Sequence, residues 1–263
     1  MRITDFHTHA FPDAIAERAM AALLAETEDV VAYLDGRLSS LLRSMDRAGI
    51  ERAVLCSIAT KPAQFEKILA WSESIRCERV IPFPSVHPHD PEVRGQIARI
   101  AAAGFRGIKL HPYYQDFDID DPRVFPIYEE LSAHGLVLLC HTGFDVAFPR
   151  VPRADPRRIA AVMGRFPDLT FVAPHLGSWE DWEAVEAHLL GTPVYLDTSY
   201  SLHMMTPERA RALLRRHPAE RVLFGTDSPW RDQTEALAEI RRLEMGPDWE
   251  RAVLEQNADR LLD

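Results

Sequence analysis

Cysteine is scarce in this chain. Three occur among 263 residues, Cys56, Cys77 and Cys140, with no Cys-x-x-Cys spacing. That excludes a disulfide framework and a cysteine-built zinc cluster. Cys56 and Cys140 sit in apolar runs and are expected to be small buried hydrophobes in a reducing compartment. A basic surplus is also missing: 30 Lys+Arg face 40 Asp+Glu, a net charge of −10, so no footprint for nucleic acid or an anionic membrane surface stands out. No apolar run approaches the roughly 20 residues of a membrane span. His7 follows Met1 too closely to leave room for a removable signal segment, and the protein is expected to be cytoplasmic. Ser/Gly linkers and low-complexity stretches are lacking too, so residues 1–263 are expected to form one domain.

What is present is a recurring unit: a short apolar run, a loop, then a longer amphipathic stretch. The runs are Ile3–Phe6, Ala53–Ile58, Val80–Val86, Gly107–Leu110, Leu136–Cys140, Leu169–Ala173, Val194–Leu196 and Val222–Phe224. Their Val, Ile, Leu and Phe suit strands buried on both faces. Helical stripes lie between them at Leu38–Ala48, Pro91–Ala103, Val124–His134, Asp155–Arg165, Trp179–Leu189, Pro207–His217 and Thr234–Leu243. Asp155-Pro156 and Thr206-Pro207 read as capped starts, and Gly49, Gly104 and Gly135 as stops. Eight strands alternating with helices predict an α/β protein, a distorted (β/α)8 TIM barrel of parallel strands. An open doubly wound sheet would place a Gly-rich turn after the first strand, where this chain has His7-Thr8-His9. Phe11–Gly36 is expected as a short insertion after strand one, and Asp248–Leu262 as a final outer helix.

Histidines collect at strand ends. His7 and His9 close the first run, His87 the third, His111 the fourth, His141 the fifth and His175 the sixth, while Asp227 closes the eighth. In a barrel these positions share the rim where active sites are built. His7 and His9, two apart on a strand, face the same side, and imidazoles side by side call for a cation between them. Alone, the pair reads equally well as two half-exposed polar residues. With His141 and Asp227 on the fifth and eighth strands, it becomes three imidazoles and a carboxylate, a catalytic divalent-metal sphere with an open position.

His7-Thr8-His9, Gly107-Ile108-Lys109-Leu110-His111-Pro112, His141, Pro174-His175 and Gly225-Thr226-Asp227-Ser228-Pro229-Trp230, taken in order, resemble the amidohydrolase superfamily. They are most similar to its amidohydrolase-related branch, which includes aminocarboxymuconate-semialdehyde and resorcylate-type decarboxylases. The ending Asn257-Ala258-Asp259-Arg260-Leu261-Leu262 resembles that branch too, so the likeness spans the chain. It implies a divalent metal, one Zn2+ with Mn2+ or Fe2+ as alternatives, held by His7, His9, His141 and Asp227. It further implies Asp227 as proton acceptor and His175 as a catalytic group beside the metal, bonding substrate or attacking water. A carboxylated Lys109 would instead bridge two metals, with His175 on the second; the branch favours the mononuclear arrangement. The other reading of Lys109 is a buried ion pair or a substrate contact.

Lys109, His111, Trp230 and Arg150 are the candidate substrate contacts, with Arg153 and Arg231 as further arginines able to hold a carboxylate. Tyr113, Tyr114, Phe144 and Phe148 could line a pocket, and His87 and His89 read better as turn residues. The expected activity is hydrolysis of an amide, ester or lactone of a small, carboxylated molecule. The alternative is non-oxidative decarboxylation or hydration of an aromatic or muconate-type acid in the same site. A barrel that binds metal only for structure is the third reading, and structural zinc sites normally draw on cysteines that this set lacks. The expected partner is a small-molecule substrate, without nucleic acid or membrane; a homo-oligomer is left open.

Overall fold

A computed structural model describes residues 1–27 and 30–263. Eight strands appear among them at the eight apolar runs: β1 (Thr4–Thr8), β2 (Arg52–Cys56), β3 (Val80–Phe83), β4 (Gly107–Leu110), β5 (Val137–Cys140), β6 (Thr170–Ala173), β7 (Tyr195–Asp197) and β8 (Val222–Leu223). The pairings of β1 with β2, β4 with β5, β5 with β6 and β6 with β7 are parallel, as helical crossovers require. The chain divides into two compact units: Met1–Leu55, Cys77–Ile81 and Asp197–Asp263 in one, Cys56–Arg76 and Pro82–Leu196 in the other.

In the first unit β1 is buried along its length and pairs with β2 in the register Thr4 to Arg52 and Asp5 to Ala53. On its other side Phe6 N–H donates to Phe224 O at 2.7 Å, and Thr198 N–H donates to Leu223 O at 3.1 Å. These bonds continue past the apolar residues. Asp227 N–H donates to His7 O at 2.8 Å and His9 N–H to Ser228 O at 2.6 Å. That pairing explains why β1 runs on to Thr8 and contains His7, where the apolar run alone stopped at Phe6. The expected insertion carries a helix, α1 (Asp13–Ala25), that buries Ala16 and Met20; Phe11 N–H donates to Gly36 O at 2.8 Å and closes its base. Glu28 and Asp29, also within that expected insertion, lie outside the described residues. Helix α2 (Leu38–Ala48) follows its predicted span, buries Leu41 and Met45, and stops at left-handed Gly49. The C-terminal stretch, helical as expected, widens into an i to i+5 turn at Ala252–Gln256. Behind it Asn257 Nδ2 donates to the carbonyls of Ala219 and Val222 at 2.8 and 2.7 Å.

The second unit holds β4, β5 and β6 in parallel register, Lys109 opposite Leu139 and Leu138 opposite Phe171, and β6 pairs in turn with β7. One apolar cluster fills it, including Ile97, Ile108, Leu138, Phe171 and Leu196. One helix here, α3 (Phe65–Ile75), was not expected. It buries Phe65, Leu69 and Ser72, and a serine on the inner face with Trp71 turned partly outward blurs the apolar stripe. The later helices α4 (Val93–Ala102), α5 (Phe125–His134), α6 (Pro156–Arg165) and α7 (Trp182–His188) occupy predicted positions. In the first unit α8 (Pro207–Leu214) and α9 (Gln233–Arg242) do the same. The predicted caps form: Asp155 accepts from the N–H groups of Arg157 and Arg158, and Thr206 from that of Arg209. Cys56 and Cys140 are buried, and all three cysteines are free thiols. No helix among the described residues is long and apolar enough to cross a membrane.

Gly143, two residues after His141, has φ +86°, and a Cβ there would stand 2.1 Å from Trp179 N and 2.5 Å from Trp179 O. Backbone cannot yield as a flexible side chain can. Gly143→Ala is therefore expected to lose more than about 2 kcal/mol of unfolding free energy. Gly164, exposed in α6 with nothing within 4 Å, is the control. Gly164→Ala should gain about 0.5–1 kcal/mol. Urea denaturation of both variants checks the pair; equal effects would refute the close approach at Gly143.

Candidate metal centre

In the first unit β1 and the turn after β8 bring His7, His9 and Asp227 together. His7 Nε2 lies 3.2 Å from His9 Nε2, and Asp227 Oδ1 lies 3.4 Å from the former and 3.2 Å from the latter. The rings meet edge to face, 61° apart, so their lone pairs converge rather than run parallel. Four donors arranged tetrahedrally at about 2.0–2.1 Å from one zinc ion stand roughly 3.3–3.4 Å from each other. The observed triangle has nearly these edges, and its chemistry, two imidazoles and a carboxylate, suits a divalent cation. The residues fit the metal.

Three carboxyl groups organise this cluster, those of Asp5 and Asp197 fully buried and that of Asp227 partly so. Asp227 itself has φ +65°, a left-handed backbone fixed by its N–H bond to His7 O and by Trp230 N–H donating to Asp227 O at 2.9 Å. Asp5, fully buried one turn of the strand below, accepts from Thr226 Oγ1 at 2.6 Å, Gln233 Nε2 at 2.8 Å, Thr226 N at 3.0 Å and His7 N at 3.2 Å. Burial pushes the Asp5 carboxyl up to about 7, against the pull of those hydrogen bonds. Asp197, at the end of β7, places Oδ2 3.0 Å from His7 Nδ1. Sequence reasoning passed over both. Asp5 hides inside a strand, and Asp197 ends the seventh apolar run just as Asp227 ends the eighth, which was the signal available.

Trp230 is half-buried beside Asp227. Arg231 is tied to α9, paired with Glu239 and, at 3.1 Å, with Glu235. Tyr200, at φ +43°, has its hydroxyl pKa raised by burial and then by the Asp227 charge, which marks it as a neighbour of the cluster.

The second unit holds the remaining candidates. His141 Nε2–H donates to Phe144 O at 3.0 Å, so its Nδ1 is left as an acceptor, and His175 Nε2 stands 3.2 Å from it. His175 and Leu176 both have left-handed backbones, φ +59° and +54°. Burial, then the neighbouring His111 and His175, hold His141 well below the usual imidazole range. His111 stacks on His141 with centroids 4.2 Å apart and planes 12° from parallel, and its Nε2 lies 3.3 Å from Asp145 Oδ2. His111, His141 and Asp145 have donor atoms within 4.8 Å of one another. Stacked rings nevertheless aim their lone pairs along separate planes, and one ion at a bond length of about 2 Å cannot lie in both. As placed, the three do not share a cation.

Lys109 is buried in β4. Tyr113 and Tyr114 pack against His111, Phe148 packs against both tyrosines, and Tyr113 O–H donates to Val151 O at 2.7 Å. Arg150 is half exposed, paired with Glu180 and set over the Phe144 ring at 4.0 Å. His87 Nδ1 accepts from His89 N–H at 3.2 Å, the turn geometry expected for that pair.

The depressed His141 gives a pH signature. Unfolded, this imidazole titrates near 6.5. Below that pH the unfolded chain binds a proton that the folded chain refuses, so stability falls on acidification, by up to about 1.4 kcal/mol per pH unit. Asp5 acts in the opposite sense, since its raised carboxyl favours the folded state at low pH and loses that advantage as pH rises through about 7. The difference between variants isolates the histidine. Denaturation of metal-stripped wild type and His141→Asn at pH 7.5, 6 and 5 should show a shallower acid loss in the variant; equal slopes would refute the burial argument.

Comparison with known proteins adds to this geometry. A family model described as Amidohydrolase matches residues 4–263. Solved structures match over nearly the whole chain. An uncharacterised TIM-barrel protein from Bordetella bronchiseptica is 22% identical with a TM-score of 0.76, covering 99% of this chain and 98% of its own. The 2,6-dihydroxybenzoate decarboxylase from Rhizobium is 16% identical, with a TM-score of 0.70 and 98% of each chain covered. A 5-carboxyvanillate decarboxylase from Novosphingobium aromaticivorans, with bound manganese, is 14% identical with a TM-score of 0.70, covering 99% and 96%. No curated protein matches in sequence. The strand-end histidines and aspartate read from the sequence thus lie on a chain with the α/β TIM-barrel fold of those structures, and a family match from the first strand to the last residue makes it an enzyme of the amidohydrolase family, which acts with a divalent metal on a small-molecule substrate.

Proposed function

We propose that this enzyme is a metal-dependent hydrolase of an amide, ester or lactone in a small, carboxylated molecule, working as one domain over residues 1–263. The observation that carries the reading is the His7, His9 and Asp227 triangle, with a carboxylate oxygen 3.2–3.4 Å from both imidazole nitrogens. His7, His9 and Asp227 would hold the metal; His141 joins them on the sequence resemblance alone. When bound, one zinc ion, with manganese or iron as alternatives, supplies Lewis acidity that polarises a substrate oxygen and acidifies water.

The chain's own groups do the rest. Asp227 is only partly buried and can accept a proton from attacking water and return it to the leaving group. His7 is almost fully buried and fixed by hydrogen bonds, so it orients and does not shuttle protons. His175 is proposed to bond the developing oxyanion through its ring N–H, a role that rests on the resemblance. Lys109, His111 and Trp230 are proposed substrate contacts. Arg150 would have to exchange its Glu180 pair for a substrate carboxylate.

A second reading, non-oxidative decarboxylation of an aromatic acid, is favoured by one specific finding: similar solved structures include decarboxylases of 2,6-dihydroxybenzoate and 5-carboxyvanillate. There the same residues would orient a carboxylate, and a protonated side chain would deliver a proton to carbon as CO₂ leaves.

Metal analysis and a substrate panel test both. One metal per chain is expected, and two would make Lys109 a carboxylated bridge. His7→Ala, His9→Ala and Asp227→Ala should each lose the metal and reduce turnover at least about 1000-fold while remaining folded. Full activity in any of them would sink the site. Hydrolysis of lactones, esters or amides without CO₂ supports the first reading; CO₂ release from hydroxylated benzoates supports the second.

A further inference from the structure

An imidazole carries one proton when neutral, so His7 can offer Nε2 to a metal only when that proton sits on Nδ1. The surroundings of Nδ1 decide this. Asp197 Oδ2 stands 3.0 Å away, with both side chains essentially out of solvent at 1% and 0% exposure. Ser199 Oγ stands 3.1 Å from the same nitrogen. The Ser199 hydroxyl donates to Asp197 Oδ1, and Ser199 N–H donates to that oxygen at 2.9 Å. With its proton directed there, the Ser199 oxygen can only accept from His7. Asp197 and Ser199 are thus both acceptors toward Nδ1, which must be the donor.

The backbone is arranged to let this pair meet. Thr198 Oγ1 donates to Gly225 O and accepts from Gly225 N–H, each at 3.2 Å, clamping the chain after β7 to the chain after β8. At Gly225 a Cβ would stand 3.0 Å from His7 Cβ and 3.2 Å from Asp197 Cγ. A side chain is missing at the one place where it would push between the histidine and the carboxylate.

We infer that Asp197 is the positioning residue of the metal centre: with Ser199 holding its second oxygen, it fixes His7 as the Nδ1–H tautomer and aims a bare, more basic Nε2 at His9 and Asp227. A carboxylate behind a ligating histidine commonly changes metal affinity 10–100-fold. The inference rests on the proposed metal site, and it says which residue makes that site ready before any metal arrives.

Two measurements test it. In ¹⁵N-labelled, metal-free wild type at pH 8, two-bond ¹H–¹⁵N spectra should show His7 protonated on Nδ1 and bare on Nε2; the opposite tautomer overturns the inference, and this reading needs no variant. Zn²⁺ affinity by chelator competition should fall 10–100-fold in Asp197→Asn, whose amide can turn an N–H toward Nδ1, and less than about 10-fold in Ser199→Ala. The Asp197→Asn spectrum should show a mixed or reversed His7 tautomer. Unchanged affinity and tautomer in Asp197→Asn, with wild type binding Zn²⁺, overturns the positioning role alone. Failure of wild type to bind Zn²⁺ overturns the metal reading and this inference together.

Discussion

The hydrogen bond from Asp227 N–H to His7 O, at 2.8 Å, joins residues 220 positions apart, and the triangle of His7, His9 and Asp227 hangs on it. It belongs to a ladder. Phe6 bonds Phe224, His7 bonds Asp227 and His9 bonds Ser228, so β1 and the chain leaving β8 run side by side past the end of their apolar residues. Ladder bonds set Cα spacing to within a fraction of an ångström. Backbone pairing brings two imidazoles and a carboxylate to within 3.2–3.4 Å of one another. Asp227 adopts a left-handed backbone to stay on this ladder, at a cost of about 1 kcal/mol or more. Such strain is tolerated where the surroundings over-determine the conformation, and the Asp227 turn is gripped from both sides.

Electrostatics completes the grip. Asp5 and Asp197 are buried carboxyl groups, and burial of a charge is costly unless hydrogen bonds or an opposite charge compensate. Asp5 meets four donors, two of them on Thr226 beside Asp227, and ties His7 N–H to the same oxygen pair. Even so, its carboxyl is raised to about 7, so hydrogen bonds offset burial only partly. With Asp197 behind His7 and Asp227 at the mouth, two carboxyl groups face two imidazoles. A divalent cation is the natural complement of that excess, and the tetrahedral spacing of the donors makes the same demand from geometry.

Much of this was legible in the order of residues, and what was not shares one physical origin. Strands buried on both faces appear as apolar runs, so all eight were visible, and a polar residue that ends such a run stands out. His7, His9, His141, His175 and Asp227 were singled out in that way. The residues that orient them leave no such mark. Asp5 sits mid-strand where a charge looks like an error, and Asp197 resembles any aspartate before a turn. Asp145 lies in a Pro- and Gly-rich loop. Their roles come from strands brought side by side by pairing, which a one-dimensional pattern does not encode. Helix α3 was passed over although its buried residues Phe65, Leu69 and Ser72 fall at helical spacing, because a serine on the inner face and a half-buried Trp71 beside it mask the apolar stripe.

The two histidine clusters also differ in kind, and the difference follows from ring geometry. His7 and His9 meet at 61° with nitrogens converging, an arrangement that leaves like dipoles facing and so calls for a cation. His111 and His141 lie nearly parallel, an arrangement stable for neutral rings, and burial holds His141 neutral. His141 Nε2–H is anchored on the Phe144 carbonyl, so its Nδ1 is the acceptor and faces His175 Nε2 at 3.2 Å, while Asp197 faces the Nδ1 of His7. In each case one ring nitrogen faces an acceptor, which makes the other the accepting nitrogen of the ring. A neutral imidazole with a fixed tautomer is a better ligand than a mobile one, because rotation and proton exchange no longer compete with binding. The acceptors behind the histidines, a carboxylate at His7 and a carbonyl at His141, therefore set which nitrogen of each ring carries the proton.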